Sequence, residues 1–200
     1  MKAIVCKKFA PVSELAWEEV ADPVAGPGEI VIDVKAAGLN YPDNLIVQGL
    51  YQFQPERPFS PGHEGSGVVS SVGPDVKMHN VGDSVAFFKG FGAFAEKIVV
   101  SERMAFPIPK SFPHKVAAGV FIGRFQQEEP QQNAQNLKEI GELLGSGKLT
   151  PFISETIPMS ESVDAIERIV KRGVVGRWFL LTTSQNKAVL GKATLVSRTV

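Results

Sequence analysis

Apolar positions in the first half of the chain come in short β-type runs. The candidate strands lie around Val5 and at residues 30–34, 67–72, 84–88 and 95–100. Turn chemistry separates them: Asp22-Pro23, Gly26-Pro27-Gly28, Gly73-Pro74-Asp75 and the stretch from Gly90 to Gly92. Closely spaced strands with this punctuation predict an all-β barrel or sandwich. Pro55, Pro58 and Pro61 precede the next strand. Proline lacks an amide donor, so that stretch is a loop rather than a central strand.

Beyond residue 125 the period changes. Residues 126–133 are polar and read as a loop, after which Leu137, Ile140 and Leu144 recur at helical spacing and Gly145 supplies a stop. Residues 152–157 read as a strand. A second helix opens at Ser160 and carries Val163, Ile166, Ile169 and Val170 on one face, with Ser160 as N-cap and Gly173 as C′ residue. Residues 177–182 form a last strand. Helix, strand, helix, strand is an α/β pattern. Two helices and two or three strands are too few for a doubly wound domain. A fragment of that kind exposes apolar surface unless the first half or another chain covers it. Residues 184–200 have no clear period and read as a tail.

Composition narrows the function classes. Lys+Arg and Asp+Glu both number 21, so the formal charge is zero. Nucleic acid and anionic membranes are disfavoured as partners, because both need a cationic excess. No apolar run has the length of a membrane span, and the N-terminal run is too short and lysine-broken for a secretory signal. These readings predict a cytoplasmic protein. The single cysteine, Cys6, excludes an intrachain disulfide and any zinc site built from several thiolates. It reads as an inert core thiol.

The densest motif is Gly62-His63-Glu64-Gly65-Ser66-Gly67-Val68-Val69, followed by Gly82-Asp83-Ser84-Val85. Before it stand Ala36-Ala37-Gly38-Leu39-Asn40-Tyr41-Pro42-Asp43, Gly49-Leu50-Tyr51 and Pro58-Phe59-Ser60-Pro61. In this order the landmarks resemble the medium-chain dehydrogenase/reductase family, in its metal-free NADPH:quinone oxidoreductase (zeta-crystallin-like) branch. Residues Val120-Phe121-Ile122-Gly123, Gly147-Lys148-Leu149-Thr150-Pro151 and the stretch from Gly173 to Leu181 resemble the family's C-terminal end. The resemblance implies a mainly β plus α/β fold. A GroES-like β-barrel domain over residues 1–118 is followed by a C-terminal remnant of a Rossmann-type α/β domain over 119–183, and by the tail. Between Ala118 and Gly119 the family carries most of its nucleotide domain, roughly a hundred residues or more.

The resemblance also implies an activity: hydride transfer from NADPH to a small quinone or α,β-unsaturated carbonyl, without metal. Asn40, Asp43 and Tyr51 would then lie near nicotinamide and substrate. The Asn40 amide would hydrogen-bond a carbonyl, Asp43 would orient water or a ribose hydroxyl, and Tyr51 would donate a proton to an enolate. Phe121, Ile122 and Gly123 would receive the nicotinamide carboxamide. The family's zinc branch has cysteine where this chain has Asn40, so no metal site is expected. The residues themselves leave other readings open: Asn40 and Asp43 as an Asx-type cap on a short helix, Tyr51 as a packed loop aromatic, and His63 as a hydrogen-bonded turn histidine.

No diphosphate cradle is visible. Gly65-Ser66-Gly67 runs into a strand, Gly90-Phe91-Gly92 lacks a third glycine, and Gly145-Ser146-Gly147-Lys148 has Glu142 where a phosphate loop needs its first glycine. Two functions from different classes follow. One is the reductase. The other is a non-catalytic product of an internal deletion, by splicing or engineering, acting as a binding or interaction module. Its partner would be another copy of the chain or a full-length paralogue.

Overall fold

The computed structural model describes residues 1–110, 113–114, 130–150, 152–171 and 177–182. The fold is built on one long strand. β3 (Glu29–Leu39) spans 11 residues, with Ile30, Val31, Ile32, Val34, Ala36 and Ala37 all buried. Its length exceeds the apolar run of 30–34, because both of its edges find partners along the whole strand. One edge pairs antiparallel with β4 (Glu64–Val72). The other edge is shared. β6 (Lys97–Ser101) takes residues 29–33 of β3, and β9 (Arg177–Leu181) takes residues 36–39. Two register shifts against β4 bend the strand between these halves.

Around β3, β4 pairs with β5 (Ser84–Phe88), and β5 with β7 (Ala105–Pro107), both antiparallel. On the far side β9 pairs in parallel with β8 (Ile153–Pro158). These make a seven-stranded mixed sheet in which β7 and β8 are outer strands, so the barrel-type half is open rather than closed. A separate two-stranded ribbon joins β1 (Lys2–Val5) to β2 (Ala16–Glu19). The short strands at 16–19 and 105–107 carry too few residues to show a period. Gly65 and Gly67 of the dense motif sit in β4 for steric reasons. A Cβ on Gly67 would lie 2.1 Å from the Asp33 carbonyl oxygen on β3.

Three helices are described. α1 (Tyr41–Val47) follows β3 directly. α2 (Pro130–Gly145) begins inside the stretch read as a loop, with proline at its first position, where a missing N–H costs nothing. Ile140 and Leu144 are half-buried on it. α3 (Ser162–Val170) starts later than expected. A 3₁₀ turn at Met159–Glu161 precedes it, the N-cap is Glu161 rather than Ser160, and the buried Ser162 hydroxyl donates to the Met159 carbonyl. Ala165 and Ile166 are buried and Val163 and Ile169 pack on the core, whereas Val170 is exposed. Gly173 lies outside the described residues.

The strands after residue 150 do not form a sheet of their own. Ile157, Met159, Ile166, Trp178 and Leu180 share one core with Ile4, Ile30, Val34, Val85 and Phe94. α3 packs on α1 and on the 3₁₀ turn at Val12–Glu14. β3 and α1 thus cover part of the apolar surface of this segment, while Leu143, Leu149 and Phe152 stay exposed. Among the described residues no helix is long and apolar enough to cross a membrane.

Candidate active site

The end of β3 delivers the chain into α1 at Asn40, whose backbone is still extended (φ −130°, ψ 152°) as an N-cap requires. Pro42 fits the first turn. Asp43, at the third helical position, accepts from the Asn40 backbone N–H at 2.8 Å, one arm of a capping box. The cap predicted for this pair is present, and it also sets up the chemistry. Asp43 has no solvent exposure, and its second oxygen meets His63 Nδ1 at 2.9 Å. His63 stands just before β4, and Glu64 is the first residue of that strand.

Glu64 is 2% exposed and accepts from the Asn40 side-chain amide at 2.8 Å. It fits there because residue 38 is glycine: a Cβ at Gly38 would stand 2.4 Å from Glu64 Oε1. His63, Asp43, Asn40 and Glu64 therefore form one continuous polar network that ties the end of β3 and the start of α1 to the start of β4.

The network opens on a cleft of about 500 Å³, whose lining includes Asn40, Tyr51, Phe53, His63, Phe88 and Lys89. His63 stands edge-on to Phe88, with centroids 5.9 Å apart and planes at 76°. Lys89 donates to the Val99 carbonyl at 2.8 Å and lies 5.4 Å from the Phe91 ring centre. Burial pushes its ammonium below the usual lysine range, against the opposing charge of Glu29. Burial also disfavours a charged His63. The Asp43 hydrogen bond and charge, with the charge of Glu64, outweigh that and hold His63 above the usual histidine value.

Of the expected site residues, Asn40 and Tyr51 line the cleft and Asp43 sits buried against His63. Phe121, Ile122 and Gly123 lie outside the described residues. His63, Glu64 and Lys89 are the parts that the sequence reading did not place in the site. The available signal was the Asn40-to-Asp43 spacing, which marks a capping carboxylate with a second oxygen left to use. Cys6 is buried, its thiol raised by burial. Among the described residues no three His, Cys, Asp or Glu side chains are grouped to hold a metal ion.

Residues 26–110 match the alcohol dehydrogenase GroES-like domain. Rat quinone oxidoreductase-like protein 2 is 37% identical over 117 residues, 58% of this chain and 33% of the relative. The human synaptic vesicle membrane protein VAT-1 homolog is 36% identical over 109 residues, 54% of this chain and 28% of the relative. Residues 26–110 carry the GroES-like domain, and these matches support a quinone oxidoreductase-like medium-chain dehydrogenase/reductase family. The matched stretch spans about a third of the length of these curated relatives. Solved structures agree on the fold. A probable oxidoreductase from Mycobacterium abscessus superposes with a TM-score of 0.79 at 20% identity, covering 90% of this chain and 98% of that one. A mycobacterial relative solved in complex with NADPH gives 0.77 at 16%, covering 90% and 100%.

The described residues show no cradle for a dinucleotide's diphosphate. Gly65 and Gly67 lie within β4, with no helix start behind them. Gly145, Ser146 and Gly147 close the C-terminal end of α2, where the amides of Ser146 and Gly147 already donate to Glu142 and Leu144 carbonyls. A helix C-terminus carries partial negative charge and repels phosphate.

Proposed function

We propose that this chain carries the carbonyl-binding half of a metal-free, NADPH-dependent reductase of quinones or α,β-unsaturated carbonyls. One observation carries the reading: an amide, Asn40, is fixed by a buried carboxylate at the wall of an aromatic-lined cleft of about 500 Å³. The Glu64 contact uses one hydrogen of Asn40 Nδ2 and leaves the other for a carbonyl oxygen. Phe53 and Phe88 offer faces and edges to a planar ring, and Tyr51 lines the same cleft. In the family resemblance NADPH supplies the hydride. The carbonyl-recognition chemistry of the cleft does not depend on it. A cytoplasmic setting and a small-molecule substrate go with this reading.

A second reading follows from the described residues, among which no diphosphate cradle stands. Without remote contacts to the diphosphate, coenzyme binding loses much of its positioning energy. The chain then acts as a non-catalytic binding module, with another copy or a full-length paralogue as partner. The exposed Leu143, Leu149 and Phe152 give it apolar surface to offer. Titrating the full 200-residue chain with NADPH by cofactor fluorescence, alongside 1,2-naphthoquinone turnover, separates the two. Saturable binding with turnover supports the reductase, whereas no binding at millimolar coenzyme leaves the binding module.

A further inference from the structure

The family resemblance implies a proton-donating Tyr51, with a packed loop aromatic as the other reading of that residue. We infer instead that His63, held by Asp43, is the group that exchanges a proton with the oxygen of a bound phenol or quinol. This rests on the carbonyl-cleft reading above and names the residue that handles the anionic oxygen at that site.

The geometry fixes which nitrogen acts. Asp43 is fully buried, with one oxygen held by the Asn40 backbone N–H and the other against His63 Nδ1. A carboxylate fixed at both oxygens accepts only, so Nδ1 keeps its hydrogen in either charge state of the ring. Gain and loss of a proton therefore fall to Nε2. The imidazole lines the cleft with Asn40 and is held edge-on by Phe88. Its side chain is 13% exposed, enough for contact with a ligand and too little for full hydration.

The charged groups around the ring favour this role. Asp43 on α1 and Glu64 on β4 both stabilise the imidazolium. Lys89 and Tyr51 line the same cleft, with the Lys89 ammonium engaged by the Val99 carbonyl. Proton exchange is most efficient for a group that titrates near the operating pH, and imidazole is a side chain of that kind.

The step balances without a reductant. The proton leaves Nε2 for the anionic oxygen: the O–H bond forms, the N–H bond breaks, and its electron pair stays on the ring. In reverse, a neutral phenol gives its proton to neutral His63 and remains as a phenolate paired with the imidazolium.

4-Nitrophenol tests this without coenzyme, because its phenolate absorbs visibly and its phenol does not. Bound to the wild-type chain, it should ionise about one pH unit or more below its value in free solution, the size expected for a cation within contact range. His63→Gln should bind it with ionisation unshifted. Nitrogen-15 NMR of the wild-type imidazole supplies a reading that needs no variant: Nε2 should respond to the ligand while Nδ1 holds its proton. An unshifted chromophore in the wild type, or a shift that survives His63→Gln, overturns the assignment and leaves the cleft reading standing. No binding at millimolar chromophore overturns both.

Discussion

Asp43→Asn is the most informative single change. It keeps the side-chain volume and removes the charge. Wild-type Asp43 accepts two fixed hydrogen bonds, from the Asn40 amide and from His63. Asparagine offers one oxygen, so one of these donors faces an NH₂ group inside the protein. A charge-assisted bond contributes about 1.5–3 kcal/mol, and breaking a buried pair costs about 3–5 kcal/mol. The loss should therefore be about 3 kcal/mol, a fall in Tm of about 6–12 °C for a chain of this length. The pH dependence carries the sharper claim. His63 is held above its ordinary value, so its pairing with Asp43 contributes fully below about pH 6.5 and is lost as pH rises through the raised folded value. The penalty for Asp43→Asn should be larger at pH 5.5 than at pH 9. Urea unfolding followed by the fluorescence of Trp17 and buried Trp178 measures it at both. An equal penalty at the two pH values would refute the charged pair, and a penalty below about 0.5 kcal/mol, the scatter of ordinary surface changes, would refute the network.

Two further changes probe the frame. Gly67→Ala forces a Cβ to 2.1 Å from the Asp33 carbonyl and 2.7 Å from Ile32 Cγ2. Backbone cannot give way as a flexible side chain does, so the cost should reach about 3 kcal/mol, the upper end for overpacking, read as a lower urea midpoint. Phe179→Ala removes a side chain 1% exposed on β9, opposite Gly38, and should cost about 3–5 kcal/mol. Unfolding of that variant should remain one transition by fluorescence and circular dichroism alike, and two separate transitions would show that β8 and β9 fold apart from the rest.

The short runs with turn residues between them located the main strands, because one buried face and tight turns are local properties. β5 at residues 84–88 came out at its true bounds. Long-range partners were not legible. The segment at 177–182 read as a strand, yet nothing in its composition names β3, some 140 residues away, as its neighbour. Ala36, Ala37 and Gly38 have weak β propensity, and they stay in β3 because β4 and β9 flank them. α1 hid for a different reason: seven residues with an internal proline show no period. Its cap was visible in Asn40 and Asp43, and reading cap and chemistry as alternatives concealed that one carboxylate does both. His63 was read alone, since its partner lies 20 positions earlier.

Among the described residues, the site takes its geometry from the GroES-like half. Asn40 and Asp43 stand where β3 turns into α1, His63 and Glu64 where β4 begins, and Phe88 and Lys89 where β5 ends. Glu64 and Phe88 face each other in the β4–β5 ladder, and the Lys89 amide donates to the His63 carbonyl at 3.0 Å. Every polar member is thus fixed by sheet register or by a helix cap within residues 29–101. α3 supports α1 from behind, and β9 extends the β3 edge beside Gly38, which gives Glu64 its room. Recognition of a carbonyl or phenolic oxygen needs those donors in place and a dry wall around them, and both are supplied by elements that share one core. Dinucleotide capture needs amides at a helix start, whereas Gly65 and Gly67 lie in β4 and Gly145 and Gly147 close the end of α2. The two capacities are physically separable, so the proposed recognition of an oxygen-bearing ring can be tested apart from the coenzyme.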